Sequence, residues 1–141
     1  MQKILFTIVF VILIFQLPAQ RNKERKHPLK LSIFAESKNQ WTGIAISKNN
    51  RVFVNFPRWS AETPVSVAEI VNGNIIAYPN PDWNDWGLKV KAKHKFICVQ
   101  SVYIDDADMI WILDTGYELE TDSTKEAHLY GFNLSDNSLG R

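Results

Sequence analysis

The residues best placed to do chemistry follow two strand-like stretches. Pro57 is followed by Arg58 and Trp59, with Asn55 just upstream. An indole can act as a stacking wall and a guanidinium as an anion hook, so Asn55, Arg58 and Trp59 are candidates for a small-molecule site. The structural alternative is a cap, with Arg58 bonding carbonyls of a neighbouring element. Downstream, Asp114-Thr115-Gly116 ends a second stretch. Aspartic proteases use this tripeptide, but they need two copies to share one proton, and the chain has one. Asp114 and Thr115 are therefore read as further ligand candidates or as a turn in which Gly116 takes positive φ.

Other polar clusters carry less. Asp105, Asp106 and Asp108 lack the glycine and distant glutamate of a calcium loop and suit a solvated hairpin turn. His27, His94 and His128 show no zinc-ligand spacing with Cys98, so no metal site and no cofactor is expected. Cys98, the single cysteine, lies in Phe96-Ile97-Cys98-Val99 and reads as a small buried hydrophobe. Asn133-Leu134-Ser135 is a glycosylation sequon, with meaning only on a eukaryotic secretory route. No residue is assigned a catalytic role.

Composition and charge narrow the class. The 141 residues are 45% hydrophobic and 22% charged, as expected of a globular chain. From residue 28 onward there are 11 basic and 14 acidic side chains. That balance lacks the electrostatic footprint of a nucleic-acid binder.

Lys3, the apolar run Ile4 to Phe15 and the small residue Ala19 form the three parts of a secretory signal. Cleavage is expected after Ala19, giving a signal peptide at 1–19, a basic leader at 20–29 and an extracytoplasmic (secreted or periplasmic) protein. The run falls short of the roughly 20 residues of a bilayer span, so no stable membrane span is expected after cleavage.

The elements that must position these residues repeat. Gly43 to Phe56 aligns without gaps with Ser101 to Asp114, 58 residues later. Each copy is an apolar strand, a polar turn and an aromatic-centred strand. Ile44 matches Val102, Val52 matches Ile110, Phe53 matches Trp111 and Val54 matches Ile112. The turns, Lys48-Asn49-Asn50 and Asp106-Ala107-Asp108, are rich in residues that tolerate left-handed geometry. A second hairpin follows each copy, one turning at Asn72-Gly73 and one at Ser135-Asp136-Asn137.

This predicts an all-β chain of two four-stranded blades, about 41–78 and about 98–141, within a partial β-propeller at 30–141. The segments 79–95 and 117–126 separate strands and are expected on the propeller faces. Lys30 to Glu36 also alternates and is expected to be a strand that closes the ring. Trp111 is expected to pack between strands, with Trp59 nearer the channel. Two blades do not close a ring, so the sequence reads as a truncated portion of a longer propeller.

Arg51-Val-Phe-Val-Asn-Phe-Pro-Arg-Trp59 resembles the yellow/major royal jelly protein family, in which Phe-Pro-Arg-Trp closes the first inner hairpin. Pro64 to Ile70, Tyr78-Pro79-Asn80, Val99-Gln100-Ser101-Val102 and Trp111-Ile112-Leu113-Asp114-Thr115-Gly116 also resemble it. The resemblance implies a secreted six-bladed propeller with a small ligand in its central channel and no demonstrable catalysis. Two alternatives stand beside it: a metal-dependent sugar-lactone lactonase-like hydrolase, and a structural or protein-interaction propeller. Lactonases of this architecture open their first inner strand with Glu-Gly. Here the place reads Gln40-Trp41-Thr42-Gly43, without a carboxylate.

Overall fold

The computed structural model describes residues 30–85 and 94–141. The expected signal peptide and basic leader lie outside the described residues. The chain divides after Ser32, and the sheets all belong to the second unit, Ile33–Arg141.

The first sheet is a four-stranded antiparallel meander: β1 (Gly43–Ile46), β2 (Val52–Asn55), β3 (Val67–Val71) and β4 (Asn74–Ala77). Its turns are those the sequence dictates. Asn50 takes φ 61°, and Asn72 and Gly73 take 51° and 77°. This left-handed pair gives the hairpin the twist of its flanking strands.

The second sheet contains β5 (Val99–Ile104), β6 (Met109–Asp114) and, after a small hairpin, β9 (His128–Asn133). The hairpin pairs β7 (Tyr117–Glu118) with β8 (Ser123–Thr124). Asp108 takes φ 60°, matching Asn50 at the 58-residue offset.

The expected fourth strand of this sheet is present only in part. Past Asn137, at φ 57°, the chain runs back along β9 through one bridge, Phe132 to Leu139, and through Asn133 N–H donating to Ser138 O at 2.9 Å. The ring-closing strand expected at Lys30 to Glu36 would pair with the edge of a last blade, which is not among the described residues; within them this stretch forms no strand pair. Ile33 and Phe34 are exposed, and Ala35 rests against the first sheet's apolar face.

Period-two alternation gives each sheet two faces. One face of the first sheet carries Ile44, Ile46, Val52, Val54, Ala68 and Ile70. The other carries Ala45, Phe53, Asn55, Val67 and Glu69. In the second sheet, Val102, Ile104, Ile110, Ile112, Tyr130 and Phe132 share one face, and Tyr103, Trp111, Leu113, Leu129 and Gly131 the other.

The Phe53 face of the first sheet packs on the Ile112 face of the second. The shared core holds Phe53, Val67, Tyr78, Phe96, Val102, Ile110, Ile112 and Phe132. The segment after β4 seals it. Asn80 caps the short helix α1 (Pro81–Asn84), and Trp83 sits 5.0 Å from both Tyr130 and Phe132.

Trp111 packs across onto the neighbouring strand β9. It is half-buried on the open face of the second sheet and lies over Gly131, where an added Cβ would stand 3.0 Å from the indole. Its Nε1–H donates to Asp105 Oδ2 at 2.8 Å.

Candidate functional site

The five candidate residues fall into two groups. Asn55, Asp114 and Thr115 converge on one short segment, Ile97–Val99. Asn55 closes β2 and is fully buried. Its Nδ2 donates to Val99 O at 3.1 Å and to Thr42 Oγ1 at 2.9 Å. Its Oδ1 is buried and has no hydrogen-bond partner among the described residues. Gly43 pairs with Asn55 and makes room for it, since a Cβ there would lie 2.4 Å from Oδ1.

Asp114 closes β6 and is 1% exposed. Its carboxylate accepts three backbone N–H groups: Ile97 at 2.6 Å, Cys98 at 2.9 Å and Gly116 at 2.9 Å. Such donors satisfy a buried carboxylate without a counter-ion. Thr115 donates through both N–H and Oγ1 to Cys98 O, each at 3.1 Å. Gly116 follows at φ 66°, as the turn reading requires, and a Cβ there would lie 2.7 Å from Glu126 O. Cys98 is itself buried, as expected.

Arg58 and Trp59 lie elsewhere. Arg58 lines a hollow of about 280 Å³ with Pro64, Ala77, Pro81, Asn84 and Asp85, toward β4 and α1. Trp59 leaves the strand on a tight turn, its N–H donating to Pro57 O at 2.8 Å, and its indole is 51% exposed. The structure thus separates the indole and guanidinium from the Asn55–Asp114 group. A larger groove of about 480 Å³ lies on the open face of the first sheet, lined by Ile33, Trp41, Ile44, Val54 and Ile70 among others. No group of three or more His, Cys, Asp or Glu side chains among the described residues could hold a metal ion.

Several positioning residues escaped sequence reasoning. Asn84 makes four hydrogen bonds. Its Oδ1 accepts from Ser66 N and Val67 N, and its Nδ2 donates to Tyr78 O and Asn80 O. Its place next to the Asn80-Pro81 helix start was the available clue. Arg51 forks onto Glu69, with Nε and Nη2 each 2.8 Å from a carboxylate oxygen, and its Nη1 crosses to Leu134 O at 2.6 Å. The Glu69 hydrogen bond leads in holding the guanidinium above its ordinary pKa, and its charge adds to the effect. Thr42 Oγ1 donates to Gln100 O at 3.3 Å, joining positions 58 residues apart.

The described chain is therefore an all-β protein of antiparallel sheets, and no helix among the described residues is long and apolar enough to cross a membrane. Among known proteins it is similar to Protein yellow of Drosophila guanche, with 27% identity over 92 residues. The match covers 62% of this chain and 16% of that protein, so the chain spans a small part of the relative it matches. No family model matches the chain.

Proposed function

We propose that the chain supplies two blades of an exported β-propeller of the yellow/major royal jelly type, which binds a small planar ligand on the propeller face where β2 ends, beside Arg58 and Trp59. The observation that supports this is the way the sheets stack. The faces are related by the 58-residue repeat: Ile44, Val52 and Val54 of the first sheet correspond to Val102, Ile110 and Ile112 of the second. Yet the first sheet offers its opposite face, with Phe53, to that Ile112 face. Equivalent sheets are therefore stacked head to tail. Propeller blades repeat in this way, with strands β1 and β5 as neighbouring innermost strands around a channel.

The residues divide the work. Asn55, Asp114 and Thr115 lock the strand ends where the blades meet. Trp59, with its exposed indole, is the stacking surface offered to a ligand, and Arg58 is the cation beside the neighbouring hollow. The likeness to Protein yellow supports the family reading.

Calorimetric titration of the full chain with tyramine and with 4-hydroxyphenylacetate tests it. Binding of either ring should weaken at least tenfold in Trp59→Ala, and Arg58→Ala should weaken the carboxylate alone. Binding unchanged in Trp59→Ala would remove Trp59 from the site. Metal-dependent turnover of gluconolactone would replace this reading with the hydrolase.

A further inference from the structure

Asn72 is the one asparagine of the chain followed by glycine. The pair turns the hairpin between β3 and β4, and both residues are exposed. The nitrogen of Gly73 is open to approach, since a Cβ on Gly73 would meet no atom within 4 Å. The Asn72 backbone sits at φ 51°, in the small left-handed region where ψ has little freedom. Its carbonyl accepts a hydrogen bond from Asn74 Nδ2 at 3.4 Å, and Val71 pairs with Asn74 across the turn.

We infer that Asn72 is a site of spontaneous covalent modification, and that the hairpin is its brake. The Gly73 nitrogen attacks Asn72 Cγ. The N–Cγ bond forms, the Cγ–Nδ2 bond breaks, and ammonia leaves with the proton from the Gly73 N–H. Water then opens the cyclic imide at either carbonyl, giving aspartate or isoaspartate at position 72. The step needs only water and is independent of any ligand. Ring closure must rotate the bond between Asn72 Cα and its carbonyl carbon. The left-handed turn and the Asn74 hydrogen bond restrain that rotation. Reaction therefore follows local opening of the hairpin, which costs less than unfolding the whole chain.

The other asparagines are poorer sites. Asn50 and Asn137 share the left-handed geometry, at φ 61° and 57°, but precede Arg51 and Ser138, whose side chains crowd the attacking nitrogen. Asn55 is fully buried, and Asn84 is held by four hydrogen bonds.

The product changes the sheet. Isoaspartate routes the main chain through the side-chain carbons and adds one atom to a two-residue turn, whose geometry sets the register of Val71 with Asn74. A negative charge also replaces a neutral amide. β4 then loses its register. It leads through Ala77, a wall of the hollow beside Arg58, into the buried Tyr78.

The test incubates the full chain at mildly alkaline pH, native and in guanidinium chloride. Peptide mass mapping follows each asparagine, with isoaspartate distinguished by fragmentation. Asn72 should convert before every other asparagine in both states, and about tenfold or more faster in denaturant. Asn74→Ala removes the hydrogen bond to the Asn72 carbonyl and keeps the backbone ladder. It should speed conversion in the native chain and leave the rate in denaturant unchanged. Hydrogen exchange at the β4 amides should speed up in the converted fraction. Conversion led by another asparagine, or none at Asn72, would overturn the site. Equal rates at Asn72 with and without denaturant would overturn the hairpin as its brake.

Discussion

The Asn55 amide crosses from the first sheet to the second and donates to the Val99 carbonyl at 3.1 Å, at the point where Gly43 leaves it room. Asn55→Ala should destabilise the chain by about 1–3 kcal/mol, because it strands the buried Val99 carbonyl. Gly43→Ala should also destabilise, by pushing the Asn55 side chain off its partners. The double variant should cost less than the sum of the two, since the added methyl then meets no amide. Urea denaturation of the three variants at one protein concentration checks this, and strict additivity would contradict it.

Asp114→Asn keeps the shape of the side chain but turns one acceptor into a donor facing a backbone N–H. With three backbone donors converging on a carboxylate that is 1% exposed, the loss should be roughly 1.5–3 kcal/mol. Hydrogen exchange at the Ile97, Cys98 and Gly116 amides should speed up first. An unchanged urea midpoint would show that the carboxylate is dispensable there.

Tyr78 carries a buried hydroxyl with no hydrogen-bond partner among the described residues. Burial leads in pushing its pKa up. A raised folded pKa means stability that is fully present below the unfolded value of about 10 and lost as pH rises through the folded value. Tyr78→Phe should abolish this alkaline loss and gain about 1 kcal/mol at neutral pH, because the buried unpaired hydroxyl goes while the ring contacts with Phe53 and Phe132 stay. A loss of stability in Tyr78→Phe would reveal a partner for the hydroxyl.

Asp105 has the opposite sign. The Trp111 indole N–H, then the Met109 backbone N–H, hold its carboxyl below the ordinary aspartate value. Its contribution is present above about 3.9 and lost as pH falls through the depressed folded value. Asp105→Asn should flatten the fall in urea midpoint below pH 4. Some of the fall should remain, because Asp136 is lowered by its Ser138 hydrogen bonds in the same way.

Local rules made the strands legible. Asn-Gly at 72–73 and the Asn50 and Asp108 turns have positive φ because the hairpins need it, and the 58-residue repeat located both inner hairpins. A strand that depends on a neighbour is harder to read. Lys30 to Glu36 alternates as well as any strand, but pairing is a property of two segments, and no partner edge meets it among the described residues. Trp111 is harder to place for a related reason. An apolar setting mid-strand does not say which sheet face is covered, and its face is the open one.

The candidate site was legible as residue types and obscure as geometry. Asn55, Asp114 and Thr115 were singled out, and they do converge, but through backbone groups of Ile97–Val99 that no side-chain pattern reveals. The hydrogen bonds of Asn84 depend on how the segment after Tyr78 folds back, which composition does not encode.

The head-to-tail order of the two sheets is tested most directly by nuclear Overhauser contacts in the full chain. Tyr78 and Phe132 have ring centroids 6.0 Å apart across the sheet-to-sheet core, whereas Trp111 lies on the far face of the second sheet. Cross-peaks between the Tyr78 and Phe132 rings, with none from Tyr78 to Trp111 or Leu113, are the expected result. Cross-peaks from Tyr78 to Trp111 or Leu113 in place of Phe132 would contradict the stacking, and with it the propeller reading.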